Sequence, residues 1–280
     1  MPEETDAWAT REPHPVLRPL VARYIGYTQH NVTLDVHRGL PSRHVTLIVS
    51  LDRPIRVTGM PLPGESPVSA QALIGGLHSG PALIAQDRFQ SGLHVELNPL
   101  GAKALLGVSS AELSGCVVGL EDLGSPRLAT LAPRLVDAAG WSERFAILDE
   151  VLAAVVCETA GPPPEVDWAW QRMIRAGGRI RVASLADEVG WSRRHFGERF
   201  RAEVGISPKQ AARVLRFERA GTLLRQGGRV DLAALAVGCG YYDQAHLTNE
   251  WRALAGCPPS VWIAEELPFL QDEGAVPGSS

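Results

Sequence analysis

An internal repeat in the last hundred or so residues limits the possible folds of this chain more than any other feature. Leu185-Ala186 and Gly190-Trp191 recur 50 residues later as Leu235-Ala236 and Gly240-Tyr241. Further pairs recur at a spacing of 51 residues: Phe196 and Leu247, Phe200 and Trp251, Arg201 and Arg252, Gly205 and Gly256, and Pro208 and Pro259. The second copy therefore has one extra residue in its turn.

Each copy predicts two short helices joined by a glycine-containing turn. The second helix begins after a residue that favours helix N-caps, Ser192 in the first copy and Asp243 in the second. Two apolar side chains four positions apart then predict the buried face of that helix, and its other face is polar. This pattern is typical of a helix-turn-helix, whose second helix fits the major groove of DNA.

The segment between the copies, 209–225, predicts a rigid helix that fixes their separation. One chain could then address successive turns of the groove, ~34 Å apart. The alternative is an all-helical repeat that binds nothing, but two capped copies with a basic bridge favour the DNA-binding interpretation.

Charge is distributed unevenly along the chain. The net charge is -4, yet residues 175–229 carry 13 basic and five acidic groups, a local charge of +8. Such a basic segment on an acidic chain indicates a polyanionic partner. Charge alone would equally fit a solvated helix face.

The region 170–265 resembles the DNA-binding domain of the AraC/XylS family of regulators. The residues that carry the resemblance are Gly240-Tyr241-Tyr242, Leu247, Trp251-Arg252 and the closing run 256–262. The resemblance implies a seven-helix, two-lobed domain with both recognition helices in major grooves of double-stranded DNA.

The same resemblance implies the residues that meet DNA. Base contacts are expected from Arg193, Arg194, Gly197, Glu198, Gln244, Ala245, Thr248 and Asn249. Phosphate contacts are expected from Arg179, Arg181, Ser192, Arg199, Arg201, Lys209, Arg213 and Arg252. Gly197 has no side chain to read a base, and Glu198 could instead pair with Arg194 or Arg201 on the helix surface.

The N-terminal part predicts an α+β domain. Runs at 45–51, 56–59 and 93–97 have strand character, and helices are expected around 126–139 and 142–158. Segments 97–102, 112–113 and 120–123 resemble a sensor-type domain, which implies a cupin-like small β barrel plus helices. The expected division is an effector-binding or dimerisation domain at 1–160, a Pro-rich linker at 161–169, the all-α domain with two helix-turn-helix units at 170–265 and a flexible tail at 266–280.

Catalytic motifs are not found in the sequence, so an enzyme is not expected. The four cysteines show no C-x-x-C spacing, which argues against a zinc site or redox pair, and no metal or cofactor is expected. His44, His94 and Glu96 are the candidate effector-binding residues. They also leave open an alternative in which an N-terminal metal-dependent enzyme is fused to a DNA-binding domain.

These observations predict a cytoplasmic, sequence-specific DNA-binding transcriptional regulator controlled by a small effector in the N-terminal domain, with no membrane partner. In a second interpretation, the N-terminal domain only forms homodimers, through an apolar stripe in 145–156. RNA polymerase would be a further partner if the regulator is an activator.

Overall fold

The computed structural model describes residues 7–156, 161–226 and 231–266. The strands in these ranges are β1 (Ala7–Arg11), β2 (Val21–Gln29), β3 (Val36–Gly39), β4 (Val45–Ser50), β5 (Ile55–Gly59), β6 (Val68–Ala70), β7 (Ala72–Gly75), β8 (Ala82–Ala85), β9 (Gln90–Leu97) and β10 (Val117–Gly119). The α-helices before Gly161 are α1 (Ala102–Leu106), α2 (Ser110–Leu113), α3 (Pro126–Ala129), α4 (Leu131–Asp137) and α5 (Trp141–Val155). Those after it are α6 (Pro164–Arg175), α7 (Val182–Glu188), α8 (Arg193–Val204), α9 (Pro208–Arg225), α10 (Leu232–Cys239), α11 (Gln244–Ala255) and α12 (Pro259–Glu265). None of these helices has the length and apolar character needed to cross a membrane.

The strands form two antiparallel sheets. The larger has the order β1-β2-β9-β4-β7-β10, and the smaller has the order β3-β8-β5-β6. The predicted strands at 45–51, 56–59 and 93–97 are confirmed as β4, β5 and β9. The α+β prediction for this part of the chain, followed by a helical part, is therefore confirmed.

One face of the larger sheet is apolar and is covered by α5. Alternate residues of β4 (Val45, Leu47 and Val49) are fully buried. Phe145 on α5 stacks on Tyr24 of β2, with 6.0 Å between ring centroids. Burial of each such large side chain contributes about 1.5–3 kcal/mol. The apolar stripe of α5 is thus mostly internal, and its prediction as a dimer interface is wrong for all but its C-terminal end.

Two helix boundaries differ from the prediction. The helix expected over 126–139 is divided at Thr130 into α3 and α4. The reason is Pro133, which has no N–H to donate and would clash with the preceding turn in a continuous helix. Starting a new helix at Leu131 places Pro133 in its first turn, where no donor is needed. The helix expected over 142–158 ends at Val155, and residues 157–160 lie outside the described ranges.

The linker prediction over 161–169 also differs from the structure, because α6 begins at Pro164. Proline is favoured at the first helical position, where its fixed φ suits the helix and its missing N–H has no partner to lose. The last of the three prolines therefore starts a helix here. The extended chain is limited to residues 161–163.

The predicted tail begins one residue too early. Glu266 is fully buried, and its carboxylate accepts hydrogen bonds from His37 Nδ1 at 2.8 Å and from the Arg38 backbone N–H at 3.0 Å. Both residues belong to β3 of the N-terminal part, so the end of the helical part is attached to the smaller sheet. Residues 267–280, the rest of the predicted tail, lie outside the described ranges.

Both helix-turn-helix units have the predicted caps and cores. The Ser192 hydroxyl accepts from the His195 N–H at 3.2 Å, and the Asp243 carboxylate accepts from the His246 N–H at 2.7 Å. The buried pairs expected on the two second helices are confirmed as fully buried: Phe196 and Phe200, and Leu247 and Trp251. The bridge between the units is confirmed as α9, whose 18 residues span about 27 Å at 1.5 Å per residue.

The first unit also touches the N-terminal part. Gly205 ends α8 with φ +94°, and a Cβ built there would overlap the carbonyl oxygen of Ser110 on α2. Gly190, in the turn between α7 and α8, has φ +73° with no atom within 4 Å of a built Cβ. The two glycines thus share a left-handed backbone conformation. Only at Gly205 does a neighbouring residue, Ser110, also occupy the space that a Cβ would need.

We expect Gly205→Ala to lower the free energy of unfolding more than Gly190→Ala does. The backbone strain alone should lower it by about 1 kcal/mol at either position. The overlap with Ser110 should at least double the effect at Gly205. Urea denaturation of both variants measures the difference, and equal losses would mean that α2 and α8 are not in contact in solution.

Candidate nucleic-acid interface

The second helix of the first unit, α8, has one buried and one open face. Phe196, Phe200 and Val204 face the core, and the Trp170 ring of α6 contacts Phe200 with 6.1 Å between centroids. Helix α6 therefore fixes α8 from behind. The opposite face of α8 is free to meet a partner.

The second helix of the second unit, α11, is built in the same way. Trp251 packs on Phe217 of α9 and on Trp262 of α12, with ring centroids 4.6 and 5.3 Å apart. Its outer face is open as well. The two units thus present two exposed helices whose buried faces are fixed by neighbouring helices.

The structure places most of the predicted base-contacting residues on these outer faces. Exposed among them are Arg193, Arg194, Glu198, Gln244, Ala245 and Asn249, and partly buried are Gly197 and Thr248. Of the predicted phosphate-contacting residues, the exposed ones are Arg179, Arg181, Ser192, Arg199, Arg201, Lys209 and Arg252. Arg213 is partly buried, and its guanidinium donates to the carboxylate of Glu250.

Arg194 and Glu198 pair with each other on the surface of α8. Arg194 Nε donates to Glu198 Oε1 at 2.8 Å, and the two side chains are 90% and 61% exposed. The carboxylate raises the pKa of the Arg194 guanidinium, so the charge is retained. Because exposed pairs of this kind are weak, a base edge can compete with either partner.

Sequence reasoning missed an ion-pair cluster that holds α11 on α9. Glu250 accepts from Arg213 Nε at 2.8 Å and from Arg216 Nη2 at 3.1 Å. The Glu250 side chain is only 14% exposed. The Arg216 guanidinium also lies over the Tyr241 ring, 5.5 Å from its centroid. This cluster orients the second recognition helix relative to the spacer.

A second unpredicted contact joins α9 to the N-terminal part. The Arg43 backbone N–H donates to Glu218 Oε1 at 2.9 Å, across 175 positions of sequence. Burial raises the pKa of the Glu218 carboxyl from 4.5 to about 7, and nearby Glu96 adds to this effect. The spacer helix therefore meets the N-terminal domain through a carboxyl that is partly protonated near neutral pH.

The three candidate effector residues lie together on the polar side of the larger sheet. Glu96 binds Arg23 at 2.8 Å, and His44 Nδ1 lies 3.6 Å from Glu96. Burial lowers the pKa of His44 to about 4 and also lowers that of His94, so both rings are neutral at pH 7. No group of three or more metal-ligating side chains occurs in the described residues.

Comparisons with known proteins agree with this architecture. Residues 185–265 match the family model of a helix-turn-helix domain. No curated protein sequence matches the chain. ToxT from Vibrio cholerae O395 superposes with a TM-score of 0.52 at 9% identity, covering 92% of this chain and 97% of that one.

Two other solved structures are also similar to this chain. Wild-type ToxT from Vibrio cholerae strain SCE256, bound to an unsaturated fatty acid, has a TM-score of 0.50 at 10% identity, covering 91% of this chain and 97% of that one. A Chromobacterium violaceum transcriptional regulator with an AraC-type DNA-binding domain matches 41% of this chain and 96% of its own length, with 22% identity and a TM-score of 0.33. The ToxT structures share the fold over about nine-tenths of this chain, with its sheet-rich first part and helical second part.

We expect Glu250→Ala to lower the free energy of unfolding by about 2 kcal/mol. Removing one partner of a fully buried pair lowers it by ~3–5 kcal/mol, and Arg213 is partly exposed here. The matched control is Glu203→Ala, because Glu203 lies 3.7 Å from Arg199 in a more exposed pair. That change should stay within ~0.5 kcal/mol of the wild type in urea denaturation. Equal effects would show that the Glu250 cluster does not hold α11.

We expect Glu218→Gln to stabilise the protein at alkaline pH. Between pH 4.5 and about 7, Glu218 is protonated in the folded protein because its pKa is raised, but it is ionised in the unfolded chain. Its contribution to the free energy of unfolding therefore falls as pH rises through that window. Glutamine keeps an oxygen for the Arg43 N–H and removes the titration. The difference between variant and wild type should grow by up to ~1.4 kcal/mol per pH unit in the window. A difference independent of pH, measured by urea denaturation, would contradict the assignment.

Proposed function

We propose that this chain, a DNA-binding regulator whose residues 185–265 form an AraC-type helix-turn-helix domain, inserts α8 and α11 into successive major grooves of one duplex. The observation that carries the proposal is the pair of capped helices with open polar faces, both held by the same spacer helix. We propose a regulator rather than an enzyme, acting in the cytoplasm. A homodimer and a contact with RNA polymerase stay predictions.

The chemistry of the exposed side chains supports base readout by both helices. On α8, Arg194 suits guanine and Glu198 suits cytosine, once their mutual pair opens. On α11, Gln244 and Asn249 suit adenine, with Ala245 available for a thymine methyl group. Arg193 and the partly buried Gly197 and Thr248 complete the proposed set.

Phosphate contacts are proposed for the exposed cations around these helices. Arg201 and Arg252 occupy equivalent places in the two copies, and Lys209 begins the spacer. The other proposed members are Arg179, Arg181, Ser192 and Arg199. Arg213 differs because its guanidinium is bonded to Glu250, so we assign it to the positioning of α11.

Control by a small effector is supported by the way the two parts meet. The N-terminal domain touches α8 through Ser110, α9 through Arg43 and the end of α12 through His37 and Arg38. A ligand that favours one arrangement of these contacts would change the presentation of both recognition helices. The fatty acid bound by ToxT supports such control for a protein of this fold.

Selection of bound duplexes from a random library tests the proposed function. The expected result is one preferred sequence with two sub-sites about one helical turn apart. Binding should weaken steeply with salt, because each phosphate contact releases counterions. A protein that shows no preference among duplexes at moderate salt would contradict the proposal.

We expect Gln244→Ala to reduce discrimination in one sub-site only. Loss of a bidentate adenine contact lowers specificity by ~1–3 kcal/mol at that position and leaves the other sub-site unchanged. The control is Gln226→Ala, which removes an exposed glutamine at the end of α9, outside both recognition helices. Competition binding on the selected duplex and its single-base variants gives the measurement. An unchanged preference in the Gln244 variant would remove this residue from the interface.

A further inference from the structure

A cleft lies where the N-terminal domain meets α6. Its volume is about 220 Å³, on the order of seven water molecules. One wall contains Arg18, Arg43 and His44, and the opposite wall contains Gln171 and Ile174 of α6. A compact organic molecule of roughly ten heavy atoms would fill it.

Arg43 supplies a cation that is not in an ion pair within the described part of the chain, although its charge also lowers the pKa of the nearby Glu218 carboxyl. Its backbone N–H binds Glu218, but its guanidinium has no carboxylate at ion-pair distance in ranges 7–156, 161–226 and 231–266; its Nε donates to His44 Nε2 at 3.4 Å. A half-buried guanidinium gains most from a planar anion that accepts two parallel hydrogen bonds. Arg18, in contrast, is already paired with Glu12 at 3.1 Å.

The α6 wall offers one polar group beside an apolar surface. The half-buried side chain of Gln171 makes no hydrogen bond to any other residue that the structure describes. Next to it lie Ile174 and the buried Trp170 ring, and Pro19 and Pro99 face them. The cleft therefore combines one available cation, one available amide and an apolar floor.

We propose that this cleft binds a small monocarboxylate with a compact apolar body. The carboxylate lies on Arg43 and the Gln171 amide, and the body lies against Trp170 and Ile174. The assignment rests on the proposed function and deepens it, since it names the class of effector and places it between the two parts of the regulator.

The position of the cleft gives such a ligand access to both parts. Arg43 contacts α9 through its backbone, and Trp170 contacts Phe200 of α8. A carboxylate that joins Arg43 to Gln171 thus adds a bond between the N-terminal domain and the helix that supports the first unit. Because the ligand requires both walls together, it should stabilise the joined arrangement of the full chain.

Calorimetric titration of the full chain with benzoate and with hexanoate tests the proposal. At least one of the two should bind saturably with one molecule per chain. Benzamide and hexanamide, which keep the bodies and remove the charge, should bind at least tenfold more weakly. Thermal unfolding should shift upward with the carboxylate that binds.

Variants then locate the binding. Arg43→Gln keeps the backbone N–H that binds Glu218 and should weaken carboxylate binding at least tenfold. The matched control is Arg53→Gln, since the Arg53 side chain is 75% exposed and lies outside the cleft. Gln171→Ala gives an independent test if Arg43→Gln unfolds, because alanine is a good helix former and is compatible with α6. This change should weaken carboxylate binding several-fold.

Three results would overturn the proposal: no saturable binding of either carboxylate, equal binding of the amides, or full binding by folded Arg43→Gln and Gln171→Ala chains. The same preparations are assayed on the selected duplex. Sequence-specific DNA binding without carboxylate binding would refute the cleft alone. Carboxylate binding without DNA preference would refute the proposed function alone.

Discussion

Helix α9 belongs to the cores of both helix-turn-helix units at once, and the geometry of the whole helical part depends on this double burial. Most of its apolar residues are buried, among them Val214, Phe217 and Leu224. Phe217 meets the second unit through Trp251, while Ala212 lies beside Gly178, close to the start of the first unit. Neither unit can rotate about α9 without opening gaps in a close-packed interior, and gaps of side-chain size are destabilising.

Charged groups add direction to this packing. Apolar contacts along α9 would tolerate several rotations of α11, whereas the Glu250 carboxylate satisfies both Arg213 and Arg216 in one orientation only. The same reasoning applies where the N-terminal domain meets α9 and α12, because Glu218 and Glu266 each bind a backbone N–H of a specific residue, Arg43 or Arg38. Buried ionic groups of this kind contribute little net stability but can select one arrangement among several.

The sequence predicted those features that depend on neighbours within a few residues. Ser192 and Asp243 were predictable as caps because an N-cap interacts with its own first turn, and the buried pair Phe196 and Phe200 follows from helical periodicity. Strands such as β4 were predictable for the same reason. The limits of α3 and α4 were not, because the effect of Pro133 depends on which residue starts the helix.

Contacts between distant segments gave no signal in one sequence. Glu250 and Arg213 are 37 positions apart, and each alone resembles an ordinary surface charge on an amphipathic helix. Glu218 meets Arg43 across 175 positions, and the cleft exists only once α6 has packed against the N-terminal domain. The single available hint was that Glu218 is the one acidic residue in the basic spacer 209–225, because DNA phosphates would repel a carboxylate that faced them.

The two copies of the motif follow each other in one chain, with different side chains at matching positions and a longer turn in the second. They are therefore not identical, and no exact two-fold symmetry relates them. In the proposed complex, the DNA site would have a head and a tail, because the half that meets α8 would differ from the half that meets α11. Reversing that site on a promoter would place the N-terminal domain on the other side, so orientation would carry information that a palindrome cannot.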